Sequence, residues 1–134
     1  MRMQDNQNDV PQRKVLLVDD DITSLDIISY LVENRGYSVE RSAEGHKAIE
    51  EVQSNPPDVL VVDLLMPGID GIETVTRIRE LGFTMPIVAF TAVDDLELHD
   101  RARQAGCDEV LTKPCRPDKL IATIEQLLAN RSSH

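Results

Sequence analysis

Nothing in the 134 residues approaches the ~20 consecutive apolar residues that cross a bilayer. The first thirteen, Met1 to Arg13, are almost wholly polar and lack the apolar core of a signal peptide. A soluble, cytoplasmic protein without membrane contacts is therefore expected. Cysteine is equally scarce. Cys107 and Cys115 are too few for a disulfide framework and do not have the C-x-x-C spacing of a structural zinc site, so they read as free thiols. Basic residues are outnumbered, 14 Lys and Arg against 24 Asp and Glu, and the resulting net charge of −10 would repel a nucleic-acid backbone. What the chain does have is 41 % hydrophobic residues, enough to bury one ordinary core, so a single domain is expected.

Residues 1–13 carry too little apolar surface to offset the entropy of ordering and read as a flexible arm. From Lys14 onward, short aliphatic runs alternate five times with longer segments of helical period. The first run is Val15 to Val18, followed by Leu25, Ile28, Leu31 and Val32 at helical spacing and by Gly36 as a stop. A weaker strand spans Tyr37 to Arg41, and a second helix carrying Ala48, Ile49 and Val52 ends before Pro56-Pro57. Val59 to Val62 shows no polar alternation, as in a strand covered on both faces. Asp70 and Glu73 read as an N-cap and its third-residue partner, before a helix that buries Ile72, Val75 and Ile78. Ile87 to Phe90 supplies the fourth strand, Asp95 to Ala105 the fourth helix, stopped by Gly106, and Glu109 to Thr112 the fifth strand. Pro117 opens a last helix whose stripe is Leu120, Ile121, Ile124, Leu127 and Leu128. The domain is expected over 14–130, with residues 131–134, ending in His134, as a polar tail.

Repeated βα units with right-handed crossovers predict an α/β fold with a doubly wound parallel sheet, whose ligands bind beyond the carboxyl ends of the strands. Four positions lie there: Asp19-Asp20, Asp63, Thr91 and Lys113. Asp21 reads as a helix cap, but two further acids remain, and Asp63 ends an otherwise apolar strand. Like charges ~4 Å apart repel by about 4 kcal/mol at an effective dielectric of 20, so a hard divalent cation is favoured among these acids. Mg²⁺, which takes few carboxylates and keeps room for phosphate oxygens, suits them better than Ca²⁺. Lys113 could pair with the Asp63 carboxylate and an incoming phosphoryl oxygen, and Thr91 could add a hydroxyl hydrogen bond. A carboxylate nucleophile, a metal and a lysine clamp are the parts required for phosphoryl transfer to an aspartate.

Four stretches, taken in order, resemble the receiver domain of two-component response regulators, and the resemblance runs from Lys14 to Ala129. They are Val15-Leu16-Leu17-Val18-Asp19-Asp20, the run from Val61 to Gly71 around Asp63, Phe90-Thr91-Ala92, and Leu111-Thr112-Lys113-Pro114. The resemblance implies the CheY-like fold, five parallel strands in the order 2-1-3-4-5 with five helices. It implies a phosphoacceptor at Asp63, not an enzyme with turnover, loaded by a sensor histidine kinase or a histidine phosphotransfer protein. Mg²⁺, with Mn²⁺ as a substitute, would be held by Asp20, by Asp19 largely through water, by Asp63 and by the backbone carbonyl of Leu65. Thr91, Ala92 and Lys113 would serve phosphoryl binding and switching, the Lys113-Pro114 bond would be cis, and a phosphorylation-dependent dimer would be one outcome.

Two departures from the family pattern stand out. Val110 occupies the position, three before Lys113, where relatives usually carry an aromatic ring, and Cys115 stands where they often carry Phe. Cys115 reads as a small apolar substitute. Leu65 and Val93, two residues after Asp63 and Thr91, are apolar at the pocket mouth, where the family tunes hydrolysis of the acyl phosphate. The family's output face would include Arg101, Val110, Cys115 and Lys119. His46 and His99 read as exposed helix residues. A metal-dependent phosphatase would need a second acid at Leu65, and a phosphorylation-independent interaction module would have no use for the acceptor set. Output protein, cognate kinase, and the choice between a stand-alone regulator and a part of a longer chain stay open.

Overall fold

The computed structural model describes residues 12–66 and 68–132. Of the expected arm, 1–11 lie outside the described residues, as do Pro67 and residues 133 and 134 of the expected tail. The sheet already holds the chain at Arg13, whose carbonyl accepts from Ser38 N at 2.8 Å. Five strands and five helices alternate: β1 (Lys14–Val18), α1 (Ile22–Glu33), β2 (Ser38–Ser42), α2 (Gly45–Ser54), β3 (Val59–Val62), α3 (Gly71–Glu80), β4 (Ile87–Thr91), α4 (Leu96–Ala105), β5 (Glu109–Thr112) and α5 (Pro117–Ser132). The strands are all parallel in the order β2-β1-β3-β4-β5. The second strand lies one residue later than the expected Tyr37 to Arg41, and Arg131 and Ser132 continue α5 instead of starting a tail.

The two faces of the sheet separate by the period-2 alternation of each strand. Leu16, Val18, Leu60, Val62, Ile87 and Ala89 face a core completed by Ala48, Val52, Val75, Ile78 and Ala102 from α2, α3 and α4. Val15, Leu17, Val59, Val61, Val88, Phe90 and Leu111 face the other core, with Leu25 and Val32 of α1 and Leu120, Ile124 and Leu128 of α5. Covering both faces is what removes polar alternation from β1, β3 and β4. The two edge strands keep exposed charged residues, Glu40 and Arg41 in β2 and Glu109 in β5.

Asp21, Asp70 and Asp95 each cap a helix, accepting from Thr23 N at 3.1 Å, Glu73 N at 2.9 Å and Glu97 N at 2.9 Å. Glu73 does not close a reciprocal capping box; its carboxylate pairs with Arg77 one turn on, at 3.0 Å. Gly71 begins α3 tight against the segment that follows β3. A Cβ there would run into the Asp63 carbonyl and come within 2.7 Å of the Leu64 Cα, backbone that cannot yield. With Gly71 N donating to Leu64 O at 2.9 Å, the helix start and the Asp63 loop form one rigid unit.

Candidate functional site

The chain passes from β1 to β2 on one side and then crosses to β3 on the other, so the strand order reverses between β1 and β3. The carboxyl ends of those two strands carry Asp19-Asp20 and Asp63. Their backbones extend the sheet ladder, Asp19 N donating to Ser42 O at 3.0 Å and Asp63 N to Val18 O at 2.9 Å. One carboxylate oxygen from each of Asp19, Asp20 and Asp63 lies within 4.8 Å of the other two. Lys113 N donates to Thr91 O at 2.7 Å, which draws the end of β5 to the end of β4. All four strand-end positions singled out in the sequence thus meet in one place.

The lysine sits differently from the simplest expectation. Its Nζ donates to Asp19 Oδ2 at 2.6 Å and lies 3.7 Å from Asp63 Oδ2, so the hydrogen bond goes to Asp19 and Asp63 receives a longer ion pair. The ammonium also stands 5.3 Å from the centre of the Phe90 ring. Asp63 Oδ1 accepts from Leu65 N at 3.1 Å, and Asp19 Oδ1 from Asp21 N at 2.9 Å. Thr91 is fully buried, and its Oγ1 accepts from Val93 N at 3.3 Å. The cis Lys113-Pro114 bond implied by the resemblance is present.

The Asp63 side chain is only 14 % exposed. Burial raises its pKa above the usual carboxylate value; the Leu65 amide, Lys113 and the Thr91 hydroxyl pull it down, and the Asp19 charge pushes it up again. A raised carboxyl pKa adds stability below its unfolded value and loses it as pH rises through the folded value. In chelator at pH 7, Asp63→Asn is therefore expected to raise stability, seen as a higher Tm than wild type. The gap to wild type closes below about pH 4, where both states hold Asp63 protonated. Thermal melts across pH check both the sign and the window.

Around the pocket, Leu65 is 53 % exposed, Ala92 is exposed and Val93 is half-buried. Of the residues expected on an output face, Arg101 and Lys119 are exposed and Cys115 is half-buried, but Val110 is buried in the core with Ala102. Cys115 packs against the α1–α5 core, in keeping with an apolar role, and burial pushes its thiol pKa up. Cys107 is buried more deeply, its pKa raised to about 12. His46 is exposed as expected; His99 is not. It is 7 % exposed, with Nε2 2.8 Å from the carbonyl of Val93. The available signal was its position three residues before Ala102, on the buried face of α4.

Comparison with known proteins agrees with this geometry. The family described as "Response regulator receiver domain" matches residues 15–125. The response regulator MprA of Mycobacterium sp. (strain KMS) is 34 % identical over 119 residues, 89 % of this chain and 52 % of that protein. The chain thus spans about half the length of the curated relatives it matches. Among solved structures, a putative response regulator from Chloroflexus aurantiacus J-10-fl superposes with a TM-score of 0.84 at 35 % identity, covering 89 % of this chain and 99 % of that one. A CheY-like receiver domain protein from Methanospirillum hungatei JF-1 gives a TM-score of 0.88 at 25 % identity, covering 92 % and 98 %. No helix among the described residues is long and apolar enough to cross a membrane. With five parallel strands in the order 2-1-3-4-5 and an acidic pocket at the point where that order reverses, the chain belongs to the receiver domain family of two-component response regulators.

Proposed function

We propose that Asp63 accepts a phosphoryl group from a phosphohistidine of a sensor kinase or phosphotransfer protein, with Mg²⁺ as the metal. The observation that carries this reading is a partly buried carboxylate, ionised at a cost, standing between two further acids and one lysine. Asp63 would attack phosphorus through a carboxylate oxygen; the P–N bond of the donor breaks, its electron pair returns to the imidazole, and an acyl phosphate forms. Lys113, already between Asp19 and Asp63, would meet the phosphoryl oxygens, as would Thr91 and Ala92 at the end of β4.

Three carboxylate oxygens within 4.8 Å, offset by one ammonium, are a donor set that fits a hard divalent cation. Asp20, Asp63 and the Leu65 carbonyl would hold the ion, and Asp19, engaged by Lys113, would reach it through water. When bound, the metal neutralises charge on the transferring phosphoryl group.

Leu65 and Val93 bear on how long the phosphoryl group survives. Hydrolysis needs a water ordered in line with the phosphorus, and neither side chain offers that water a hydrogen bond. Leu65→Asn combined with Val93→Glu is expected to speed loss of the phosphoryl group on the order of tenfold, each single change giving part of it. Phosphoprotein decay followed after donor removal checks this; equal decay in wild type and double variant would sink the idea.

A further inference from the structure

We propose that His99 is a positioning residue that transmits a change at Thr91 to α4 through the backbone of Val93. The inference rests on the reading of Asp63 as phosphoacceptor. Both backbone groups of Val93 are held, on the two peptide planes that flank its Cα: its N–H donates to Thr91 Oγ1 at 3.3 Å, and its carbonyl lies 2.8 Å from His99 Nε2. A carbonyl oxygen only accepts, so Nε2 carries the proton and the tautomer is set. His99 is regular helix, its own N–H donating to Asp95 O at 3.0 Å, and its ring is buried.

The two bonds are unequal. The Thr91 bond is long for an N–H donor, whereas the His99 bond is short and joins a buried donor whose loss would be expensive. Recruiting the Thr91 hydroxyl to a phosphoryl oxygen disturbs the weak end. The backbone at Val93 then turns, and His99 follows the Val93 carbonyl because a buried ring N–H has much to lose by letting go. Helix α4 moves with the ring. The position on β5 that faces α4 is Val110, a buried aliphatic side chain with no polar atom that could sense the hydroxyl of Thr91. A route through His99 thus links the pocket to α4 by directional bonds, and it gives α4 the second arrangement that any signal requires.

The test uses the whole ¹⁵N-labelled chain with and without Mg²⁺ and beryllofluoride, a stand-in for the phosphoryl group. Amide shifts at Leu65 and Lys113 report loading, and those from Glu97 to Arg103 report α4. In wild type, loading is expected to shift both sets and the His99 Nε2 resonance as well. His99→Leu should keep the loading shifts while the α4 shifts fall by about twofold or more, and His99→Gln, which retains an amide donor, should restore most of them. Undiminished α4 shifts in His99→Leu, or a wild-type Nε2 resonance unmoved by loading, would overturn the relay. The wild-type resonance decides the matter even if a variant fails to fold. A wild type showing no loading shifts at all would overturn the acceptor reading and the relay together.

Discussion

Asp63→Asn protein incubated with acetyl phosphate and Mg²⁺ is expected to take up no phosphoryl group, while wild type approaches one per chain. The substitution is nearly isosteric and keeps an oxygen for the Leu65 amide, so the β3–α3 loop retains its bond. It removes the nucleophile. Asp19 is an inferior substitute because its oxygens are already engaged by Asp21 N at 2.9 Å and Lys113 Nζ at 2.6 Å. Asp20 is exposed, where water competes for any phosphoryl group. Intact-mass measurement before and after incubation checks the outcome, and since the variant is expected to melt higher than wild type, unfolding cannot account for a loss of labelling.

The second large effect is expected at Asp20. Asp20→Ala removes one of three acids from the cluster while leaving Asp63, Lys113 and Thr91 in place. The side chain is exposed and caps no helix, so the fold survives. The remaining acids would hold the cation less well, leaving the incoming phosphate less neutralised, and the labelling rate at fixed Mg²⁺ should fall by about 100-fold, roughly 2.7 kcal/mol in the barrier. Raising Mg²⁺ should recover part of that rate in the variant, whereas chelator should stop both proteins. A rate unaffected by Asp20→Ala would place the metal elsewhere.

Much of the fold was legible because the sheet is buried on both faces. Unbroken runs such as Val59 to Val62 can be read as central strands without tertiary information, and the acids after them mark carboxyl ends. The convergence of Asp19, Asp20, Asp63, Thr91 and Lys113 followed from chain order and the direction of parallel strands. Side-chain partners were harder to read. Lys113 hydrogen-bonds Asp19 instead of Asp63, a choice made by the reach of one flexible side chain between two oxygens ~1 Å different in distance, which no linear pattern encodes. His99 looked like a surface residue by type. Its burial depends on the path of the β4–α4 loop, which turns the Val93 carbonyl back over the helix. Glu73 illustrates the same limit, since two acceptable partners competed for it and Arg77 won.

The most direct test of Asp63 as the acceptor is chemical mapping. Borohydride reduces an acyl phosphate to an alcohol, so a phosphorylated aspartate is converted to homoserine, which peptide mass analysis can locate. After acetyl phosphate and Mg²⁺, the conversion should appear at position 63 and not at Asp19, Asp20 or Asp21. Homoserine at any of those three, or unmodified Asp63 in protein shown by intact mass to be phosphorylated, would contradict the account.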